Sequence, residues 1–311
     1  MKVAITGATG FVGNYILEAL CKSYTPLVLG RSKPNGYNGN YESYDLLEQN
    51  NLPSLVDVEV IIHSAARVHL MNETAKDPLS EYQAANTEAT LRLANHAVAS
   101  GVKRFIFLST IKVNGESTHL EHPFCHDSAP VPQCDYAKSK FEAESGLLKL
   151  AEQTGLEVVI IRPTLVYGPG VKANFALLLN IVKKGYPLPF GCIDKNRRSF
   201  VSVDNLVDLV ITCIEHTRAP GEVFLVSDDC DISTSEMVRL MGVCLSKRNL
   251  QIPIPIWFFK LVGRILGKSE VVYRLTGSLQ VDISHTKKTL DWIPPETILQ
   301  SFKKVAVNDD R

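Results

Sequence analysis

The chain has 311 residues, 45% hydrophobic and 21% charged, enough apolar material for a sizeable core in one large domain or two modest ones. Lys plus Arg and Asp plus Glu both number 33, so net charge is zero, which argues against broad binding to nucleic acid or an anionic membrane but leaves room for a local basic pocket. Seven cysteines without a CxxC pair indicate neither a disulfide framework nor a thiolate zinc site, and fit a reducing, cytoplasmic setting.

In chain order, strands are predicted at 2–6, 26–29, 58–63, 104–108 and 156–161, and helices at 11–23, 77–100 and 136–154, the middle one started by Asp77-Pro78. Strands alternating with helices predict βαβ units, a parallel sheet and right-handed crossovers. After Pro163 the regularity breaks, Pro, Gly and basic residues gather at 163–198, and one more strand–helix–strand set follows at 199–227. The expected fold is α/β: a Rossmann-like doubly wound parallel sheet over 1–165, to which 199–227 is expected to return, and a smaller C-terminal α/β lobe for substrate over 166–311. The cleft between them is the default ligand site. The opening MKVAITGATGFVG is broken by glycines and does not read as a signal peptide. The apolar stretch 254–266 carries Lys260 and Arg264 and is too short to span a bilayer. It reads as a packed helix, with a lid or a weak membrane contact as the alternative.

The first strand runs straight into Gly7-Ala8-Thr9-Gly10-Phe11-Val12-Gly13. Glycines there permit a tight turn, close backbone approach to a diphosphate, and close helix packing, while the helix N-terminus offers N–H groups to the phosphate. An acid is expected at the end of the second strand to hold a ribose 2′-hydroxyl; Arg31 stands there instead, with Lys33 nearby. A guanidinium suits a 2′-phosphate, so NADP(H) is favoured and NAD(H) stays open; an arginine stacked on adenine is the alternative. Asp45 is placed to meet the adenine amino group, or is a loop aspartate.

Tyr136 and Lys140 open a strong helix at spacing i, i+4 and so share a face. A phenol of pKa about 10 is a poor base at neutral pH, and an adjacent ammonium with a nicotinamide cation is expected to lower it. Ser109 and Thr110 end the strand before this helix, where a hydroxyl points into the cleft. Thr110 is the preferred partner of the substrate oxygen that Tyr136 protonates or deprotonates.

These ordered motifs resemble the extended short-chain dehydrogenase/reductase family, its NAD-dependent epimerase/dehydratase group acting on nucleotide sugars, over roughly residues 1–295. The landmarks are GATGFVG at 7–13, HSAA at 63–66, Asn86, LST at 108–110, YAKSK at 136–140, RPTLVYGPG at 162–170, Asn174 and RSFVSVDN at 198–205. The resemblance implies a cofactor site of Gly7, Gly10, Phe11, Val12, Gly13, Arg31, Asp45, Ala65, Ala66, Tyr136, Lys140 and Pro163. It implies catalysis by Thr110, Tyr136 and Lys140. Asn174 and Arg198, with Arg274, would meet a substrate diphosphate, and Phe190 would border uracil. The alternatives are a packing ion pair for either arginine and a core position for Phe190. The resemblance further implies a homodimer built on the 77–100 and 136–154 helices.

Family 4,6-dehydratases carry Asp-Glu after the catalytic threonine, whereas Ile111-Lys112 follow here, which argues against dehydration. VNG at 113–115 replaces the common VYG. The finer pattern is similar to the branch of UDP-N-acetylquinovosamine dehydrogenases, which reduce a UDP-4-keto-6-deoxy-HexNAc at C4, and whose relatives include UDP-glucose 4-epimerases. Arg31 tilts the expectation toward the reductase, because a consumed cofactor is often NADPH. The alternative is a 4-epimerase of UDP-glucose or UDP-GlcNAc with retained NAD. A non-catalytic NADPH-binding sensor or scaffold is disfavoured by the intact Thr110, Tyr136 and Lys140. His119, His122, Cys125 and His126 read as lid or solvated side chains rather than metal ligands. The expected partners are a UDP-sugar and, as the resemblance implies, a second copy, with no nucleic acid and no membrane span expected.

Overall fold

A computed structural model describes residues 1–48, 51–68, 77–171 and 174–308. The elements in order are β1 (Lys2–Thr6), α1 (Phe11–Ser23), β2 (Thr25–Gly30), β3 (Asn40–Ser43), β4 (Val58–His63), α2 (Pro78–Tyr82), a π-helical turn (Gln83–Glu88), α3 (Ala89–Ala99) and β5 (Arg104–Leu108). They continue with α4 (Asp135–Thr154), β6 (Glu157–Pro163), β7 (Leu165–Tyr167), α5 (Asn174–Lys183), β8 (Arg198–Ser202), α6 (Val203–Glu215), β9 (Val223–Val226) and β10 (Asp231–Ile232). Five helices close the chain: α7 (Thr234–Cys244), α8 (Ile256–Ile265), α9 (Ser269–Thr276), α10 (Ser284–Leu290) and α11 (Ile298–Asn308).

Seven strands form one sheet in the order β3-β2-β1-β4-β5-β6-β9, every pairing parallel. Its inner strands are apolar on both faces because helices cover both, while the edge strand β3 is polar and has no buried residue. Val3, Ile5 and Ile106 pack with α1 and α6 on one side, and Ala4, Phe105 and Phe107 pack with α3 and α4 on the other. The chain builds outward from β1 through β2 to β3, then crosses to β4 on the other flank. The crevice at the C-terminal ends of β1 and β4 is therefore the topological switch point, where such sheets take ligands.

The 199–227 set divides. Its helix packs beside α1 and its last strand, β9, extends the large sheet, while β8 joins β7 and β10 in a three-stranded sheet. That second sheet and α5, α7 and α11 close a separate core around Tyr167, Phe175, Phe200 and Phe302.

The helix predicted over 77–100 is three pieces. Asp77 caps its start, accepting from the Ser80 N–H at 3.2 Å. The turn then widens to π geometry around Asn86, which is 1% exposed. Asn86 Oδ1 accepts from the Arg67 N–H at 2.8 Å, and its Nδ2 donates to the Arg67 carbonyl at 3.0 Å and to Ser139 Oγ at 3.0 Å. These tertiary bonds, invisible to periodicity, accompany the break.

Candidate active site

The glycine loop closes as tightly as its composition suggests. Gly7 is left-handed (φ 75°), and its carbonyl accepts from the Gly10 N–H at 2.9 Å. A Cβ at Gly13 would stand 2.0 Å from the Gly7 oxygen, and one at Gly7 would stand 2.6 Å from the Ala65 nitrogen. Gly10 caps α1 without a side-chain acceptor and no acid lies in the first turn, so the helix N-terminus keeps its donors and its positive end for a ligand. Phe11 and Val12 turn partly inward against the core. Ala65 donates its N–H to Thr6 Oγ1 at 3.3 Å, and Ala66 follows it half-buried. Arg31 is exposed beyond β2. Asp45 accepts from the Leu47 N–H at 3.0 Å through Oδ1.

Beneath the loop lies a buried relay. Thr6 Oγ1 is 2.8 Å from His63 Nδ1, and His63 Nε2 is 3.0 Å from Thr90 Oγ1. The Thr90 hydroxyl donates to the Asn86 carbonyl at 2.7 Å, so it must accept from His63, which assigns the ring proton to Nε2. Burial, with the Lys140 charge, pushes His63 down to about 3.

The catalytic wall is α4 packed on β5 and β6. Lys140 is 1% exposed and its ammonium sits 3.9 Å from the centre of the Phe107 ring. Burial brings Lys140 down to about 7. Tyr136 lies one turn earlier, half-buried, edge-on to Tyr82. In the protein alone burial, with Cys134 and Tyr82 adding, pushes the phenol above its ordinary range. A lysine that is itself easily neutralised does not offset that burial, so any lowering has to come with the ligands. Thr110 is buried at the end of β5, and its Oγ1 accepts from the Lys112 N–H at 3.3 Å. Ser109 is buried beside it, with no hydrogen-bond partner for its hydroxyl among the described residues. Pro163 ends β6 in register with Val226.

Sequence reasoning missed the support behind this wall. Glu144, one further turn from Lys140 and 2% exposed, grips Arg162 of β6 through contacts of 3.0 Å at Nε and 2.5 Å at Nη2. Arg162 Nη1 donates to Asn114 Oδ1 at 3.0 Å, and Asn114 Nδ2 donates to the Ser128 carbonyl at 3.1 Å. Asn114 is the middle residue of VNG, so the departure there carries a structural bond of its own. The recurrence Tyr136, Lys140, Glu144 at steps of four was the available signal.

The substrate side is looser. Arg198 and Arg274 do come together: Arg198 Nη1 donates to the Arg274 carbonyl at 2.9 Å and to the Gly277 carbonyl at 3.4 Å. Burial and the Arg274 charge both draw Arg198 below its ordinary value. Arg274 also pairs with Glu270 at 3.0 Å along the exposed face of its own helix. Two neighbouring guanidinium groups favour a doubly anionic ligand. Phe190 is half-buried against Phe259, the ring centres 6.2 Å apart. Asn174 opens α5, but its side chain lies outside the described residues. Beside Arg274, a cavity of about 300 Å³ is lined by Ser117, His119, His122, Phe124 and Tyr273. His126 stacks on His285 at 3.9 Å instead of joining that cavity.

A family model described as the NAD dependent epimerase/dehydratase family matches residues 3–227. A UDP-glucose 4-epimerase of Vibrio cholerae is 49% identical over 312 residues, covering 98% of this chain and 94% of the relative. A GDP-6-deoxy-D-mannose reductase of Pseudomonas aeruginosa is 29% identical over 254 residues, covering 78% of this chain and 79% of the relative. Among solved structures, a UDP-glucose 4-epimerase of Thermotoga maritima with UDP-glucose superposes at TM-score 0.80 and 20% identity, covering 100% of this chain and 99% of that one. That last likeness concerns the fold.

Proposed function

The chain belongs to the NAD dependent epimerase/dehydratase family, and on that premise we propose that it is a UDP-hexose 4-epimerase that keeps its NAD through the catalytic cycle. The observation that carries the choice is the 49% identity, over nearly the whole length of both chains, to a UDP-glucose 4-epimerase. This reading takes the alternative over the 4-keto reductase to which Arg31 pointed. An exposed arginine serves an adenine face as readily as a 2′-phosphate, so Arg31 alone does not require NADPH.

The residues fit a dinucleotide, because the space a Cβ would fill at Gly7 and Gly13 is the space the loop needs to close over the α1 N-terminus. Gly7, Gly10 and Gly13 would hold the diphosphate, with Arg31 and Asp45 toward the adenosine and Lys140 and Pro163 toward the nicotinamide. Bound NAD would take hydride from C4 of the sugar and return it.

Tyr136 would remove the C4 hydroxyl proton as that carbon is oxidised and give it back on reduction. Thr110 would hydrogen-bond the same oxygen. Because burial holds the phenol protonated in the protein alone, Lys140 must be charged, and a cationic ring close by, before Tyr136 works as a base. Epimerisation also needs the keto sugar to present its other face. Arg198 and Arg274 would anchor the diphosphate while the sugar turns. We include a homodimer through the 77–100 helical segment and α4 in the proposal, and a monomer by sedimentation velocity would remove that part.

The test is incubation with UDP-glucose and no added cofactor. UDP-galactose should form, and the denatured protein should release NAD. If neither sugar interconverts and UDP-4-keto-6-deoxy-GlcNAc consumes added NADPH instead, the protein is the reductase.

A further inference from the structure

Helix α8 turns an apolar stripe toward solvent. Trp257, Phe258, Leu261 and Ile265 recur at the spacing of one helix face and are 65%, 45%, 48% and 73% exposed. The opposite face is fixed to the protein. Gly263 abuts α9, where an added Cβ would stand 2.6 Å from Val272, and Phe259 stacks on Phe190. The outward face is thus set by docking of the inward one: the helix packs, as expected, but through one face only. An exposed apolar surface of this kind, bordered by polar groups, marks a contact site.

Charge says what the contact is. Lys260 and Arg264 border the stripe and Lys268 follows it, all exposed and without an ion pair among the described residues. From 245 to 269 the chain carries Lys247, Arg248, Lys260, Arg264 and Lys268 and no carboxylate, within a sequence of zero net charge. A second copy docked face to face through α8 would bring these cations together across a twofold axis, which like charge opposes. An anionic bilayer accepts both halves of the pattern: aromatic and aliphatic side chains enter the interface, and cations meet headgroups.

We propose that α8 lies on an anionic lipid surface, with Trp257, Leu261 and Ile265 inserted among the lipids and Lys260 and Arg264 on the headgroups. The helix has 10 residues, and no described helix is long and apolar enough to cross a membrane, so it lies in the surface plane. This goes beyond the epimerase reading and stands whichever reaction the site performs.

The intact protein is mixed with vesicles of phosphatidylcholine alone or with phosphatidylglycerol added, and followed by co-sedimentation and tryptophan emission. Trp292 is 5% exposed, so an emission change on binding reports Trp257. Binding to the anionic vesicles with a blue shift, weakened by salt, is expected. Combined Leu261→Gln and Ile265→Gln should lower partitioning at least about tenfold. Lys260→Gln and Arg264→Gln should each lower it about fivefold. An unchanged circular dichroism spectrum, thermal midpoint and turnover would show the variants folded. No binding at low salt, equal binding by the variants, or a solution dimer that Leu261→Gln and Ile265→Gln dissociate would overturn the proposal, the last assigning the face to a second copy.

Discussion

The two sides of the crevice are built on different terms. On one side, Tyr136, Lys140 and Glu144 rise along a single helix of 20 residues whose buried acid is tied to Arg162 and, through it, to Asn114 and the loop at Ser128. On the other, Arg198 and Arg274 meet through a carbonyl at the end of an 8-residue helix that buries none of its side chains fully. The groups proposed to move protons are held where neighbours fix their position and charge. The arginines proposed to grip the diphosphate sit on smaller elements. Damage to the first side should therefore stop chemistry or unfold the protein, and damage to the second should weaken binding.

The largest effect is expected at the proton-transfer group. Tyr136→Phe should lower kcat about 10²–10⁴-fold with UDP-sugar affinity nearly intact, measured by steady-state kinetics beside calorimetric binding. A large loss of affinity with little loss of kcat would break the division between the two sides.

Next comes the support behind it. Glu144→Ala leaves the Arg162 guanidinium buried without its partner and should cost about 3–5 kcal/mol in urea unfolding. A change under about 1 kcal/mol would mean the wall does not depend on that pair.

Arg198→Gln should act on the other side alone, raising KM about 10–100-fold while kcat moves little. Equal loss in kcat would put Arg198 with the catalytic groups.

The smallest effect is one of pH. His63 in the fold titrates at about 3, below the ordinary value of 6.5. The unfolded chain therefore binds a proton that the native protein refuses between those values. The stability this supplies is complete above pH 6.5 and is lost as pH falls toward 3, by up to about 1.4 kcal/mol per pH unit. Urea unfolding at descending pH should show a steeper loss for the native protein than for His63→Gln, by about one proton. Parallel slopes would show His63 is not held neutral.

How much was legible follows the same division. β1, β4 and β5 were readable to the residue, because a strand buried on both faces is a continuous apolar run between breakers. Tyr136 and Lys140 were readable because one helical turn fixes their shared face. Glu144 lies on that face too, but its meaning rests on Arg162, 18 residues on and in a strand, which periodicity does not connect. Nor does a pattern of apolar residues say which neighbour covers them. That is why the outward face of α8 was not legible, and why the π turn at Asn86 read as plain helix. Sequence supplies the ammonium beside Tyr136 but not the burial that holds the phenol protonated in the protein alone.

The central claim is that hydride leaves C4 and returns to C4 on one protein-bound cofactor. UDP-glucose deuterated at C4 is the direct probe, incubated with the protein and an excess of unlabelled NADH. The account predicts UDP-galactose with deuterium still at C4. Loss of the label to the soluble cofactor, or its absence from the product, would contradict retained-cofactor epimerisation and return the protein to the reductase reading.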